Sequence, residues 1–307
     1  MKTRSRSNLW ALIVGALVLG LGLEVSLAQG AAPPDQPAVT VRGQTYTPRS
    51  ILARNMGTDE DQTTAFPPHR VIGNIYYVGT RTLSSYLITT PVDGHILINS
   101  SYERNVRTIE RSVTELGFKF SDIRILLGTH AHNDHQEGDA LAKELTGAQV
   151  MVMREDVPAL EAIKPGGKAH PIDRTLRDGD EVTLGGTTLV AHLTAGHTRG
   201  CTTWTMRAQD GGKNFNVVFA CSYRAPANLT PEIENEFNRT FKILRSLPCD
   251  VPLGDHPAQY DMMAKYAKLK AGASNPFIDA ANCWVEAEIQ EAMLRAQVQM
   301  QQKAGRP

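Results

Sequence analysis

The sequence predicts an α/β sandwich, two packed sheets with helices on the outside. Short β-like runs fall into two groups along the chain, and each group is followed by segments of helical period. A third observation concerns function: every turn that carries a clustered or strand-end histidine directly follows one of these runs.

The first group begins at Val71. Ile72 to Val78, Ser85-Tyr86-Leu87-Ile88-Thr89 and His95-Ile96-Leu97-Ile98 are rich in β-branched and aromatic residues, with Pro91-Val92-Asp93-Gly94 as a turn, so an antiparallel meander is expected. Val106, Ile109, Val113 and Leu116 recur at helical spacing up to the stop signal Gly117, and Ile123-Arg124-Ile125-Leu126-Leu127 follows as a buried strand. A short helix from Asp139 to Leu145 and a strand from Gln149 to Met153 complete this half. The second group comprises Glu181 to Leu184, Thr188 to Leu193, and a hairpin of Thr202 to Met206 with Val217 to Ala220 around Asp210-Gly211-Gly212. Thr230 as N-cap and Pro231 at the first position open a helix lined by Ile233, Phe237 and Leu244. A strand Val251 to Leu253, a helix through Met263 and Tyr266, and a terminal helix bearing Ile289, Met293 and Ala296 end the chain.

The N-terminus reads as a targeting segment. Met-Lys-Thr-Arg-Ser-Arg-Ser precedes an apolar run from Leu9 to Leu23, and Ser26-Leu27-Ala28 is a small-residue cleavage site, so residues 1–28 are expected to be a signal peptide and the chain periplasmic or secreted. No stable membrane anchor is expected after cleavage, because the run is short and no basic stop-transfer cluster follows. Residues 29–69 read as a Pro-rich tether and N-terminal extension, and residues 70–307 as one domain. Loss of residues 1–28 takes Lys2, Arg4, Arg6 and Glu24 from totals of 32 basic and 32 acidic residues, leaving a net charge of −2, which argues against a nucleic-acid partner. Cys201, Cys221, Cys249 and Cys283 lack C-x-x-C spacing, so one or two disulfides or buried thiols are expected rather than a structural zinc site.

The segment Thr129-His130-Ala131-His132-Asn133-Asp134-His135 places four potential metal ligands in six positions directly after a buried strand. At a strand end alternate residues share a face, so His130 and His132 can grip one ion while Asp134 and His135 turn toward a second; imidazole with carboxylate suits zinc. His197 in Ala195-Gly196-His197-Thr198 and His256 in Gly254-Asp255-His256-Pro257 occupy comparable strand-end turns. His69, His95, His170 and His192 stand alone and are expected to be structural.

The run His130, His132, Asp134, His135 matches the H-x-H-x-D-H signature, and the chain from about residue 70 onward resembles the metallo-β-lactamase superfamily. That resemblance implies an αββα sandwich and two zinc ions per chain. His130, His132 and His197 would hold the first ion. Asp134, His135 and His256 would hold the second, with Asp134 counted catalytic as well. His135 separates the chain from subclasses B1 and B2, which lack a histidine after the aspartate. Glyoxalase II has it but adds a bridging aspartate near the end of the strand Val217 to Ala220, where this chain reads Cys221-Ser222-Tyr223-Arg224. Together with Gly196-His197-Thr198-Arg199-Gly200-Cys201-Thr202-Thr203-Trp204 and Leu247-Pro248-Cys249-Asp250-Val251, this makes the chain similar to subclass B3 enzymes.

The implied reaction is hydrolysis of the β-lactam amide by a hydroxide shared between the zinc ions, with a small-molecule β-lactam as partner. Arg224 and Ser222 are the expected anchors for the substrate carboxylate. If Cys221 rather than Ser222 faces the second ion, it offers a thiolate instead. A Cys249–Cys283 bridge is expected, since the pair brackets His256 and subclass B3 relatives often have it, whereas Cys201 and Cys221 are expected to be reduced. The chain departs from the family in Gln136-Glu137-Gly138, where Ala-Gly-Gly is common, and in polar Asn133. Two alternatives stand beside the lactamase reading: a zinc hydrolase of a thioester or lactone, and a secreted zinc-binding protein without catalysis.

Overall fold

The structure, a computed structural model, describes residues 38–305; the expected signal peptide and the Pro-rich stretch ending at Pro37 lie outside the described residues. The described chain opens with the hairpin β1 (Val39–Val41) and β2 (Gln44–Tyr46), followed by the helices α1 (Pro48–Met56) and α2 (Asp59–Thr63). Both helices carry capping boxes, at Thr47 with Ser50 and at Thr58 with Asp61. Ile51 seals this segment against Ile289 and Met293 of the terminal helix.

A seven-stranded sheet follows in chain order: β3 (His69–Ile72), β4 (Ile75–Tyr77), β5 (Tyr86–Thr89), β6 (His95–Ile98), β7 (Ile123–Leu127), β8 (Gln149–Met153) and β9 (Arg174–Leu176). The run expected as one strand from Ile72 to Val78 is instead a tight hairpin, because Gly73 turns the backbone at φ 52° and lets Ile72 pair with Ile75. From β3 to β6 the sheet is an antiparallel meander; from β6 to β9 it is parallel, the crossovers running through α3 (Val106–Glu115), α4 (Asn133–Gln136), α5 (Asp139–Thr146) and α6 (Val157–Ala162).

The second sheet has five strands: β10 (Glu181–Leu184), β11 (Thr187–Leu193), β12 (Thr202–Asp210), β13 (Lys213–Ala220) and β14 (Val251–Gly254), the last parallel to β13 after the crossover α7 (Pro231–Ser246). The Thr230 hydroxyl accepts from Ile233 N at 3.3 Å and so caps α7. The chain finishes with α8 (Met262–Lys270) and α9 (Val285–Lys303).

Side-chain alternation decides the layers. Ile96, Ile98, Ile125, Leu127, Met151 and Met153 point from the first sheet into a core shared with Leu189, Trp204, Val217, Phe219 and Leu253 of the second. Their neighbours Leu97, Leu126, Val150 and Val152 face the other way, against Val106, Ile109, Val113, Ala142 and Leu160 of the helices. Phe237, Phe241 and Leu244 of α7 pack with Ala287 and Leu294 of α9 beside Ala220 at the end of β13. The result is the expected αββα sandwich. Among the described residues, no helix is long and apolar enough to cross a membrane.

Candidate metal centre

Three strand ends converge on one site. The loop after β7 carries His130 and His132 and leads into α4 with Asp134 and His135; the loop after β11 carries His197; the loop after β14 carries His256. These loops and the strands beside them are held by main-chain and buried side-chain hydrogen bonds. Thr202 N donates to Thr129 O at 2.7 Å, the Trp204 indole donates to Gly128 O at 3.0 Å, and the Tyr86 hydroxyl donates to Gly254 O at 2.7 Å.

The six side chains form two triads. Ligand atoms of His130, His132 and His197 lie within 4.8 Å of one another, as do those of Asp134, His135 and His256. Each triad is the set named from the sequence. The ring nitrogens turned away from the triads have partners: His197 Nδ1 meets Arg224 O at 2.8 Å, and His256 Nδ1 meets Thr82 O at 2.9 Å. In contrast, His130 Nε2 faces His132 Nδ1 at 3.0 Å, buried His135 Nε2 has only Asp134 Oδ2 beside it at 3.2 Å, and buried Asp134 Oδ1 has no hydrogen-bond partner. Buried polar atoms left unsatisfied are costly, and these two belong to a set of six side chains of the types that bind zinc.

A model of the metallo-β-lactamase superfamily matches residues 78–210. The solved structure of FEZ-1, a metallo-β-lactamase from Legionella gormanii, is 41% identical with a TM-score of 0.72, over 79% of this chain and 98% of that one. BJP-1, a subclass B3 metallo-β-lactamase of Bradyrhizobium japonicum, is 37% identical with a TM-score of 0.72, over 80% and 98%. The chain belongs to the metallo-β-lactamase superfamily. Its solved neighbours include subclass B3 enzymes, the subclass indicated by the sequence. Among curated proteins, a hydroxyacylglutathione hydrolase of Hyphomonas neptunium is 31% identical over 135 residues, so the chain spans 47% of the length of that relative.

The electrostatics of this superfamily site keep three of its imidazoles, those of His132, His197 and His256, neutral. Burial, then the neighbouring His130, pushes His132 down to about 3; burial, then His135, pushes His256 down to about 4. Burial also holds His197 well below the usual histidine range. His135 goes the other way: burial disfavours its charge, but Asp134 and Asp255 outweigh it and raise the pKa. Asp134 is held well below the carboxylate range, since His135, with His256 and His130, overcomes the burial penalty.

Of the two residues expected to hold substrate, Ser222 is buried just past the end of β13, and Arg224 stands two positions on with its carbonyl on His197. The positive charge of Arg224 disfavours protonation of His132 and His197, and Asp134 in turn favours the charged guanidinium. The four solitary histidines stay outside the triads. His69 stacks on Tyr77 and Phe277, His95 meets Phe118 edge-on, and His192 Nε2 lies 2.8 Å from Thr205 Oγ1. His170 pairs with Asp139 at 3.3 Å and touches Gln136 O at 3.1 Å.

The cysteines bring one agreement and one correction. Cys249 and Cys283 are bonded as expected, with Cα atoms 6.2 Å apart. Cys201 and Cys221, expected to be reduced, also form a disulfide, with Cα atoms 6.0 Å apart. The register of β12 on β13, Trp204 opposite Phe219, brings the two positions side by side at the same sheet end, within bridging range. That bond removes Cys221 as a thiolate ligand.

The departures in the signature are absorbed locally. Gln136 is buried, its amide donating to Asp139 Oδ2 at 3.1 Å, and it lies over Gly128, where an added Cβ would come within 2.0 Å of Gln136 Cδ. Glu137 is half-buried, and burial raises its pKa against the opposing hydrogen bond from the Glu103 backbone.

Sequence reasoning missed Asp156. Its buried carboxylate accepts from Ala131 N at 2.9 Å, Thr198 Oγ1 at 2.9 Å and Gly200 N at 2.6 Å, clamping the loop of His130 and His132 to the loop of His197. Gly200 is required there, because a Cβ would fall 2.5 Å from Asp156 N. The only local signal is an acidic residue ahead of Val157-Pro158, which reads equally well as a helix start.

Proposed function

We propose that the chain is a zinc hydrolase that opens the ring amide of β-lactams. The observation that carries this reading is the end of β13. The bridging aspartate of glyoxalase II belongs there, whereas this chain has Cys221, locked in a disulfide. The two lactamase structures, matched over nearly their whole length, support the same choice. The hydroxyacylglutathione hydrolase match favours a second reading, thioester hydrolysis on the same fold, over a smaller part of the chain.

His130, His132 and His197 would hold one zinc ion and Asp134, His135 and His256 a second. Zinc bound by such ligands lowers the pKa of water to near neutrality and polarises a carbonyl. The chain supplies the rest. Burial keeps His132, His197 and His256 unprotonated, so their lone pairs stay available at neutral pH. Asp134 Oδ1, without a hydrogen-bond partner, is an acceptor that could orient a proton-bearing nucleophile. Arg224 supplies a cation that can pair with the substrate carboxylate and hold the amide over the cluster, with Ser222 beside it. Two disulfides accord with an oxidising compartment and so with a secreted or periplasmic chain.

Steady-state hydrolysis of a penicillin, a cephalosporin and a carbapenem beside an acyl-glutathione thioester tests the proposal. Turnover of the β-lactams above the thioester is expected. Thioester turnover alone would favour the second reading, and zinc binding with no turnover of either would make the chain a binding protein.

A further inference from the structure

Asp255 is used by neither triad, although it precedes the ligand His256 in the chain. Its side chain is fully buried. Oδ2 lies 3.2 Å from His130 Nδ1, on the side of that ring opposite the nitrogen facing His132. That contact apart, Oδ2 has no hydrogen-bond partner. The other oxygen accepts from the Asn99 amide at 3.4 Å, and the Asp255 carbonyl accepts from Ser84 N at 2.9 Å. Asn99 is held in turn, its Oδ1 accepting from Thr129 N at 3.0 Å and Thr129 Oγ1 at 3.1 Å. It stands at φ 61°, a left-handed conformation that asparagine tolerates better than most residues.

A buried carboxylate is expensive unless a proton donor faces it. His130 Nδ1 is in position to be that donor. A neutral imidazole carries one ring proton, so a proton kept on Nδ1 leaves the Nε2 lone pair directed at His132 and the first triad. Asp255 also forms, with His130 and His135, a cluster whose ligand atoms lie within 4.8 Å of one another. One side chain thus stands close to a residue of each triad, and the next residue in the chain, His256, belongs to the second.

We propose that Asp255 is a positioning residue that accepts the Nδ1 proton of His130, fixing the ring and tautomer with which His130 serves the first triad. The inference rests on the metal reading of the site but not on the identity of the substrate. Carboxylates behind metal-bound histidines raise ligand basicity, and their loss typically weakens metal affinity by roughly ten- to a hundredfold.

The test is zinc binding to the full chain, measured at neutral pH by competition with a chromophoric chelator, for wild type, Asp255→Ala and the near-isosteric Asp255→Asn. The expected result is wild-type binding of two ions, with the first-triad ion weakened roughly ten- to a hundredfold in Asp255→Ala and less in Asp255→Asn, which keeps an acceptor oxygen. A hydrogen-bonded Nδ1 proton of His130 should be seen by NMR in wild type and lost in Asp255→Ala. Should the alanine variant fail to fold, Asp255→Leu, which offers no acceptor, takes its place with the same expected results. Unchanged affinity and an unchanged Nδ1 proton in a folded variant would overturn the role of Asp255. Failure of wild type to bind zinc would overturn the metal reading itself, and failure to hydrolyse β-lactams while binding zinc would overturn only the substrate.

Discussion

Replacing Asp156 by alanine removes three hydrogen bonds at once, and two of the donors, Ala131 N and Gly200 N, belong to backbone in loops that carry metal-triad residues. An unsatisfied buried donor costs about 1–3 kcal/mol, so two of them, with the Thr198 hydroxyl free to turn elsewhere, predict a loss of about 2–6 kcal/mol. For a chain of this size each kcal/mol lowers the melting temperature by about 2–4 °C, so a fall of at least ~4 °C is expected by calorimetry. The damage should be uneven. Asp156 clamps the loop of His130 and His132 to that of His197, and none of its three hydrogen bonds is to Asp134, His135 or His256. Chelator competition on Asp156→Ala should therefore show the first ion weakened much more than the second. Equal weakening of both ions, or a melting temperature within ~1 °C of wild type, would refute the reasoning.

Arg224→Ala should raise KM for carboxylate-bearing β-lactams roughly ten- to a hundredfold with a smaller effect on kcat, because an ion pair kept throughout the reaction contributes uniform binding; an unchanged KM would make Ser222 and backbone donors the anchor. Asp134→Ala should leave one zinc ion per chain by elemental analysis, since the first triad keeps three imidazoles; loss of both would contradict the ligand assignment. For His170, Asp139 outweighs burial and raises the pKa above 6.5. The pair's stabilisation is then fully present below pH 6.5 and lost as pH rises through the raised value, so the melting difference between wild type and His170→Asn should shrink from pH 6 to pH 9. A difference that grew with pH would reverse the sign of that argument.

Much of the site was legible because its chemistry is local. Four of the six triad residues lie in one run, and the other two follow apolar strands whose ends the periodicity located. Strands His95–Ile98, Ile123–Leu127 and Gln149–Met153 were readable for the same reason, their boundaries being marked by turns and by the switch between period two and period 3.6. What escaped depended on contacts between distant positions. Asp156 meets its partners 25 to 44 residues away, and Asp255 meets His130 across two loops. Neither distance has a sequence signature. The Cys201–Cys221 bond was misread because a reduced pair and a bridged pair have the same sequence, and the choice lies in the lateral register of two strands. The hairpin at Gly73 did have a signal, the dipeptide Gly73-Asn74 between two apolar runs, and the positive φ of Gly73 outweighed the strand propensity of its neighbours.

The central claim is that two zinc ions, one per triad, are required for hydrolysis of the β-lactam amide. Its most direct test is to strip the purified protein with a chelator and titrate zinc back while following carbapenem hydrolysis. The account predicts no hydrolysis in stripped protein and activity that rises until two equivalents are bound. Full activity at one equivalent, or no hydrolysis with two ions bound, would contradict it.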